Sequence, residues 1–159
     1  MHDRPAEIIE DSQHTDLAKV LFNRAWMLLD TARRSPAQDD EMVAAAHASF
    51  WHWLQVGDER NFERGHWLIA RCCAAVDRGH EALHHAERCL ASCQQHDHGP
   101  FDLAFAHEAR ARALLTLGRH DEAIDALNIA TIKGAAIESD DDRNWLTDNL
   151  DTLHAEATA

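Results

Sequence analysis

Apolar residues recur at three- and four-residue spacing along most of the chain, which is the pattern of helices with one buried face. Glycines, prolines and acidic clusters interrupt this pattern repeatedly. We therefore predict seven helices, over residues 15–35, 39–56, 59–76, 80–95, 101–117, 121–137 and 141–155. Thr15 is the expected N-cap of the first helix. Pro36 is expected to end that helix, because a proline disfavours helical geometry in the residue before it.

Residues 1–13 are charged and contain Pro5, so we expect a flexible N-terminal lead-in there. Residues 14–159 are expected to form a single helical domain with short connections. The first six helices would pair as three antiparallel hairpins, and the seventh would cap the open end of the array. The buried face of that capping helix is predicted to contain Trp145, Leu146, Leu150 and Leu153.

The central and C-terminal parts of the chain contain an internal repeat with an offset of 41 residues. At this offset HWLIARCCAAVDRGHEAL aligns without a gap to HEARARALLTLGRHDEAI, with six identities in 18 positions. The identical pairs are His66 and His107, Ala70 and Ala111, Arg71 and Arg112, Arg78 and Arg119, Glu81 and Glu122, and Ala82 and Ala123. Repetition at such a period indicates stacked helix–turn–helix units. The first hairpin, residues 15–56, matches the repeat much less well.

The segment LLTLGRHDEAIDALNIA resembles the second half of a tetratricopeptide repeat. That family's packing and turn positions are filled here by Ala111, Gly118, Ala123, Leu127 and Ala130. The chain departs from the family in its longer unit and at three residues. His107 and Arg110 replace the usual Trp and Leu, and Asp77 replaces the turn glycine of the middle unit. The resemblance implies an all-α fold, a right-handed array of three antiparallel helix hairpins plus a C-terminal capping helix.

In tetratricopeptide proteins, the first helices of the hairpins line a concave groove that binds peptides or, less often, small ligands. Carried over at the 41-residue offset, the groove positions are Arg64, Trp67, Arg71, Phe105, Glu108 and Arg112, joined by Asn23 and Asp30 in the first helix. The resemblance therefore implies a non-enzymatic adaptor that binds a protein or peptide partner. Arg71 and Arg112 would hold an acidic group of that partner. Alternatively, Arg71 pairs with Glu108 and only stabilises the stack.

A second functional hypothesis is a pocket for a small molecule or a metal ion, with or without catalysis. Its candidate residues are Trp26, His47 and His66, together with Glu108. His47 lies one helical turn before Trp51, in a region that includes the aromatic stretch FWHWLQVG. We expect that stretch to be mostly core. An adaptor should have a long open groove, whereas a pocket protein should have a bounded cavity with converging polar groups.

The net charge of −13 narrows the choice of partners. A basic surface is needed to bind nucleic acid or an anionic membrane, so neither partner is expected. No apolar run is long enough for a transmembrane helix, and the first residues lack the features of a secretory signal. We therefore expect a cytoplasmic location with reduced cysteines. Self-association into a homodimer is a variant of the adaptor hypothesis.

Histidine, cysteine and acidic residues form no recognisable metal or catalytic motif in the sequence. One predicted helix face carries four side chains of metal-ligand type at four-residue steps, namely Glu81, His85, Cys89 and Cys93. They span about 18 Å along the helix, so all four cannot bind one ion. Two Glu-x-x-His motifs are expected at opposite ends of one hairpin: Glu63 with His66, and Glu81 with His84. Phosphate-binding loops and nucleophile elbows are absent from the sequence. We therefore assign no catalytic residue, no metal site and no cofactor, and the sequence favours a protein without enzymatic activity.

Overall fold

Seven α-helices joined by short connections make up the described part of the chain, residues 9–159, in a computed structural model. The helices are α1 (Asp11–Leu29), α2 (Pro36–Val56), α3 (Glu59–Ala75), α4 (Gly79–His96), α5 (Pro100–Thr116), α6 (His120–Gly134) and α7 (Asp140–Ala157). Residues 9–159 contain no β-strand. The prediction of an all-α helical array is confirmed, and most predicted boundaries lie within one to three residues of these limits.

The start of the first helix differs from the prediction. α1 begins at Asp11, and Glu10 occupies the N-cap position, so Thr15 lies inside the helix. The Thr15 hydroxyl donates to the backbone carbonyl of Asp11 at 3.0 Å. Residues 11–13 therefore belong to α1 instead of the lead-in, while residues 1–8 lie outside the described residues.

Pro36 begins α2 instead of ending α1, which already stops at Leu29. Ser35 is the N-cap of α2, and its hydroxyl accepts the backbone N–H of Gln38 at 3.3 Å. The Gln38 side chain in turn accepts the backbone N–H of Ser35 at 2.8 Å. Proline fits the first position of a helix because an N–H there would have no helical partner. The same residue that disfavours helix before it thus favours helix after it.

The turns of the second and third hairpins share one backbone conformation. Gly118 has a φ of 70° and Asp77 has a φ of 62°, both in the left-handed region. Glycine enters this region without a steric penalty, and aspartate is among the few other residues that tolerate it. The replacement of glycine by Asp77 in the middle unit therefore preserves the turn.

The helices pack in order along the chain. α1 pairs with α2, α3 with α4, and α5 with α6, while α1, α3, α5 and α7 also contact one another in succession. Within residues 9–159, the backbones of α2, α4 and α6 do not approach one another closely, and α2 and α4 meet only through long side chains such as His47 and Glu81. The first helices of the hairpins therefore form one continuous layer, which we call the inner wall, and it ends at α7.

Small residues allow this close packing. Ala111, Ala123 and Ala130, which occupy the repeat's packing positions, have no exposed surface. Side chains of one methyl group let neighbouring helices pack closely. The last helix completes the core with Leu146, Leu150 and Leu153, all at most 5% exposed, and it packs on α5 and α6. The predicted cap is confirmed.

The stretch FWHWLQVG is less buried than expected. Trp51 and Leu54 are 50% and 49% exposed, whereas His52 is buried. The Nδ1 atoms of His52 and His14 lie 2.8 Å apart, so a polar pair occupies the interior position. The expectation that this stretch is mostly core was wrong, because this end of α2 packs on α1 and α3 with only part of its surface.

None of the helices in residues 9–159 has the length and apolar character needed to cross a lipid bilayer.

Candidate functional site: an aromatic pocket on the inner wall

A pocket of about 330 Å³ opens in the inner wall. We call it the aromatic pocket because most of its lining consists of ring side chains: Phe22, Asn23, Trp26, Glu63, Arg64, Trp67, Cys89, Phe101, Asp102, Phe105 and Trp145. These residues come from α1, α3, α4, α5 and α7. The volume lies at the lower end of the range of small-molecule sites.

Three tryptophans and a phenylalanine from four helices form the centre of the pocket. Trp26 and Trp67 stack with their ring centroids 5.3 Å apart. Trp145 meets them edge-on at 6.0 and 6.2 Å, and it lies 4.5 Å from Phe105. The faces of aromatic rings carry negative electrostatic potential and attract cations. Arg71 already uses this property, since its guanidinium carbon lies 5.7 Å from the Trp26 centroid and 5.9 Å from that of Trp67.

Glu63 supplies a buried carboxylate to the aromatic pocket. Its side chain is 1% exposed, and Oε2 lies 2.9 Å from Nδ1 of His98. Oε1 has no hydrogen-bond partner among the described residues, and neither does the buried indole N–H of Trp67. A buried polar group without a partner costs about 1–3 kcal/mol. Two residues of the lining therefore carry buried polar atoms without a hydrogen-bond partner, one acceptor and one donor.

The second carboxylate of the pocket is neutralised. Asp102 accepts hydrogen bonds from Arg64 at 2.9 Å on Oδ1 and at 3.4 Å on Oδ2, and Arg60 also lies 3.4 Å from Oδ2. Both arginines are nearly half exposed, so they face the rim of the pocket. Glu63 is thus the carboxylate of the lining that has no arginine or lysine partner in the described residues.

No family model matches the chain, and neither the curated proteins nor the solved structures contain a significant match. Membership of the tetratricopeptide family therefore stays a prediction. Function is inferred from the geometry and chemistry of the inner wall.

The structure places the predicted groove residues on this one wall, in two adjoining pockets. The aromatic pocket contains Asn23, Arg64, Trp67 and Phe105, together with Trp26 from the alternative set. A second, polar pocket of about 570 Å³ contains Asp30, Arg71 and Arg112. Arg71 joins the two pockets, because it lines the polar one and lies over two rings of the aromatic one.

Glu108 lies fully buried between the two repeat-related arginines. Arg71 donates to its Oε1 at 3.1 Å, and Arg112 donates to the same oxygen through Nε and Nη2. Both arginines also donate to Oδ1 of Asn149, at 3.4 and 3.2 Å. The contact between Arg71 and Glu108 is the arrangement that the sequence offered as the alternative to an anchor for an acidic ligand.

α7 does more than cap the end of the array. Trp145 and Asn149 lie one helical turn apart, and they contact inner-wall residues of both α3 and α5. Trp145 also reaches the ring of Trp26 on α1. These two side chains lie across the inner wall where a long groove was expected, and the aromatic pocket lies beside them.

Several lining residues were not identified from the sequence: Phe22, Phe101, Asp102 and Trp145. Phe101 and Asp102 lie four and three residues before Phe105, so helical spacing from the predicted groove position was a usable signal. Glu63 was noticed only as part of a Glu-x-x-His pattern. Trp145 was assigned to the core face of the cap, and no sequence signal distinguished that role from a pocket wall.

His47 and His66, the other candidates for the alternative pocket, lie away from Trp26. Nε2 of His47 is 3.1 Å from Oε1 of Glu81, and Nδ1 of His66 is 2.9 Å from Nδ1 of His85. We call these four residues the histidine cluster; it joins α2, α3 and α4. The expectation that these histidines share a pocket with Trp26 was wrong, because their side chains leave α2 and α3 on faces that do not line the aromatic pocket.

Proposed function

We propose that this chain is a binding protein whose aromatic pocket takes the protonated amine of a small organic molecule. The observation that carries the proposal is the free Oε1 of buried Glu63 in a pocket lined by the rings of Trp26 and Trp67. An ammonium group would donate a hydrogen bond to Oε1 and lie against the aromatic faces.

The free polar atoms define the ligand further. A primary or secondary amine has the N–H that Oε1 of Glu63 needs, whereas a quaternary ammonium has none. The free indole N–H of Trp67 suits an acceptor on the same ligand, such as a hydroxyl or carbonyl oxygen. Hydrogen bonds to charged groups contribute about 1.5–3 kcal/mol each, so the charge of the amine should dominate the selectivity.

The shape of the inner wall supports a small molecule over an extended peptide. An adaptor groove would run along α1, α3 and α5, but Trp145 and Asn149 of α7 lie across that path. Arg71 and Arg112, the expected anchors for an acidic peptide group, already share Glu108. The tetratricopeptide resemblance supports the inner wall as the binding face. The position of α7 across that wall favours a small molecule as the ligand.

The test is a titration followed by tryptophan fluorescence, because Trp26, Trp67 and Trp145 line the pocket. We expect saturable binding of n-butylammonium that is at least about tenfold tighter than binding of n-butanol, the neutral analogue. Tetramethylammonium should bind with intermediate affinity, since it keeps the charge and loses the N–H donor.

Glu63→Gln should remove the preference for the amine, because it keeps the shape and deletes the charge. The matched control is Glu59→Gln, on the same helix, where the carboxylate is 54% exposed and lies near His96. Equal affinity for amine and alcohol, or an unchanged preference in Glu63→Gln, would contradict the proposal. Tighter binding of a lysine-containing peptide than of the free amine would favour the adaptor hypothesis instead.

A further inference from the structure

We propose that His47, Glu81 and His85 form a zinc-binding site that bridges α2 and α4. The site shares no residue with the aromatic pocket and is independent of the function proposed above. Two imidazoles and one carboxylate are a ligand set that zinc uses in proteins, with a fourth position left for water or another ligand.

The donor atoms are already close together. Nε2 of His47 and Oε1 of Glu81 are 3.1 Å apart, and one donor atom from each of the three residues lies within 4.8 Å of the others. Ligands of a tetrahedral zinc ion at bond lengths near 2.0–2.2 Å are separated by about 3.4 Å. Small side-chain rotations would therefore bring all three donors to bonding distance, with no movement of the helices.

The helical framework fixes this arrangement. Glu81 and His85 are four residues apart on α4, so they share a face. His47 reaches across from α2, 34 residues earlier in the chain. All three side chains are partly buried, and those of His47 and Glu81 are 40% and 38% exposed. The donors are thus held by the fold and still accessible to an ion from solvent.

The close donor group contains no thiol. The three donor atoms that lie within 4.8 Å of one another are two imidazole nitrogens and one carboxylate oxygen. The nearby Cys73 is buried and is not a member of this group. The ligand set is therefore two histidines and one glutamate.

His66 is placed to orient His85. Their Nδ1 atoms lie 2.9 Å apart, and the His66 ring lies 4.6 Å from that of Phe50. When His85 donates this hydrogen bond, its Nε2 carries the lone pair that a metal needs. Histidine ligands commonly have such a partner on the second nitrogen, and its loss weakens metal binding about 10–100-fold. We assign His66 as a positioning residue on this basis.

The charges around the site also bear on cation binding. Arg78 lies 4.0 Å from the second oxygen of Glu81 and 3.8 Å from Asp40, and Arg88 lies near enough to affect both His66 and His85. The positive charges of these arginines repel a cation, so the affinity for the metal ion must come from its direct bonds to the three donors. This situation favours zinc over calcium or magnesium, which depend on charge and oxygen ligands.

The experiment is calorimetric titration of chelator-treated full-length protein with zinc chloride. We expect one tight equivalent of zinc, and His47→Gln, Glu81→Gln and His85→Gln should each weaken it by more than about 100-fold, since each deletes a direct ligand. His66→Phe should weaken it about 10–100-fold. Because the ligand side chains are partly exposed, the glutamine variants should melt close to the parent protein, which circular dichroism checks.

A control is needed because the chain has 13 histidines. His80→Gln removes an exposed histidine from the same helix and should leave the tight equivalent unchanged. Cobalt substitution gives a second readout: visible absorption without a thiolate charge-transfer band is expected for this ligand set. The proposal is overturned if no tight equivalent is found, if the three ligand variants bind as the parent does, or if His80→Gln weakens binding as much as they do.

Discussion

Glu108 offers the sharpest test of how the inner wall is held together. Its carboxylate is fully buried, and one of its oxygens accepts hydrogen bonds from both Arg71 and Arg112, whose side chains are 11% and 23% exposed. Both arginines also reach Asn149 on α7. A single negative charge therefore links α3, α5 and the closing helix.

The perturbation is Glu108→Gln, which keeps the volume and one oxygen acceptor but removes the charge. Deleting one partner of a buried ion pair typically costs about 3–5 kcal/mol, since the remaining charge is left desolvated. The lower end applies here, because both arginines keep some solvent contact and a hydrogen bond to Asn149. We expect a loss of about 3 kcal/mol, and for a chain of this size that corresponds to a decrease in Tm of roughly 6–12 °C.

The assay is urea unfolding followed by far-ultraviolet circular dichroism, with thermal melting as a second measure. The matched control is Glu122→Gln on α6, which removes the same charge from a pair with Arg119 in which both side chains are nearly half exposed. That variant should unfold close to the parent protein, because an exposed ion pair contributes little to stability. If Glu108→Gln loses no more than the control does, the buried carboxylate is not what holds the two arginines and α7 in place.

Two further predictions concern the histidine cluster and the packing of α7. Burial lowers the pKa of His66 and His85 to about 4 in the folded protein, against 6.5 ordinarily, so the unfolded chain takes up protons first on acidification. The free energy of unfolding of metal-free protein should therefore be highest above pH 6.5 and fall between pH 6.5 and pH 4. The loss should be about 2 kcal/mol for the pair, which is less than the two pKa shifts alone would give, because both side chains are partly exposed and share one hydrogen bond. His66→Gln should weaken the dependence of the free energy of unfolding on pH, as measured by urea titrations. An unchanged slope would contradict this account. At α7, a Cβ at Gly134 would overlap Cδ2 of buried Leu146. Gly134→Ala should therefore lower the free energy of unfolding by about 1–3 kcal/mol. A variant that melts no lower than the parent would show that α7 adjusts freely.

The sequence predicted the local structure well where one physical signal acted alone. Spacing of apolar residues placed seven helices, and the tetratricopeptide resemblance placed Ala111 and Ala123 at close-packing positions, where the structure finds them fully buried. The prediction failed at Pro36, where two rules for proline compete. The capping box formed by Ser35 and Gln38 decides between them.

The site was predictable only in part. The repeat offset brought Arg64, Trp67 and Phe105 onto one wall, because residues at equivalent positions of stacked units lie side by side. It could not show that Trp145 would contact Trp26, since α7 has no equivalent in the repeat. Nor could spacing along one helix reveal the zinc ligands, because four-residue steps relate residues of α4 only.

The sequence by itself thus determined the helices and their order, because these depend on contacts between residues near one another in the chain. The tertiary structure alone decided that Trp145 closes the inner wall into a pocket, that Glu63 is left there with a free oxygen, and that His47 meets Glu81 and His85 across α3. Each of these depends on how far a side chain reaches between helices that are distant in sequence. Helix periodicity gives the direction of such a side chain, but only the packing of the whole array determines what it meets.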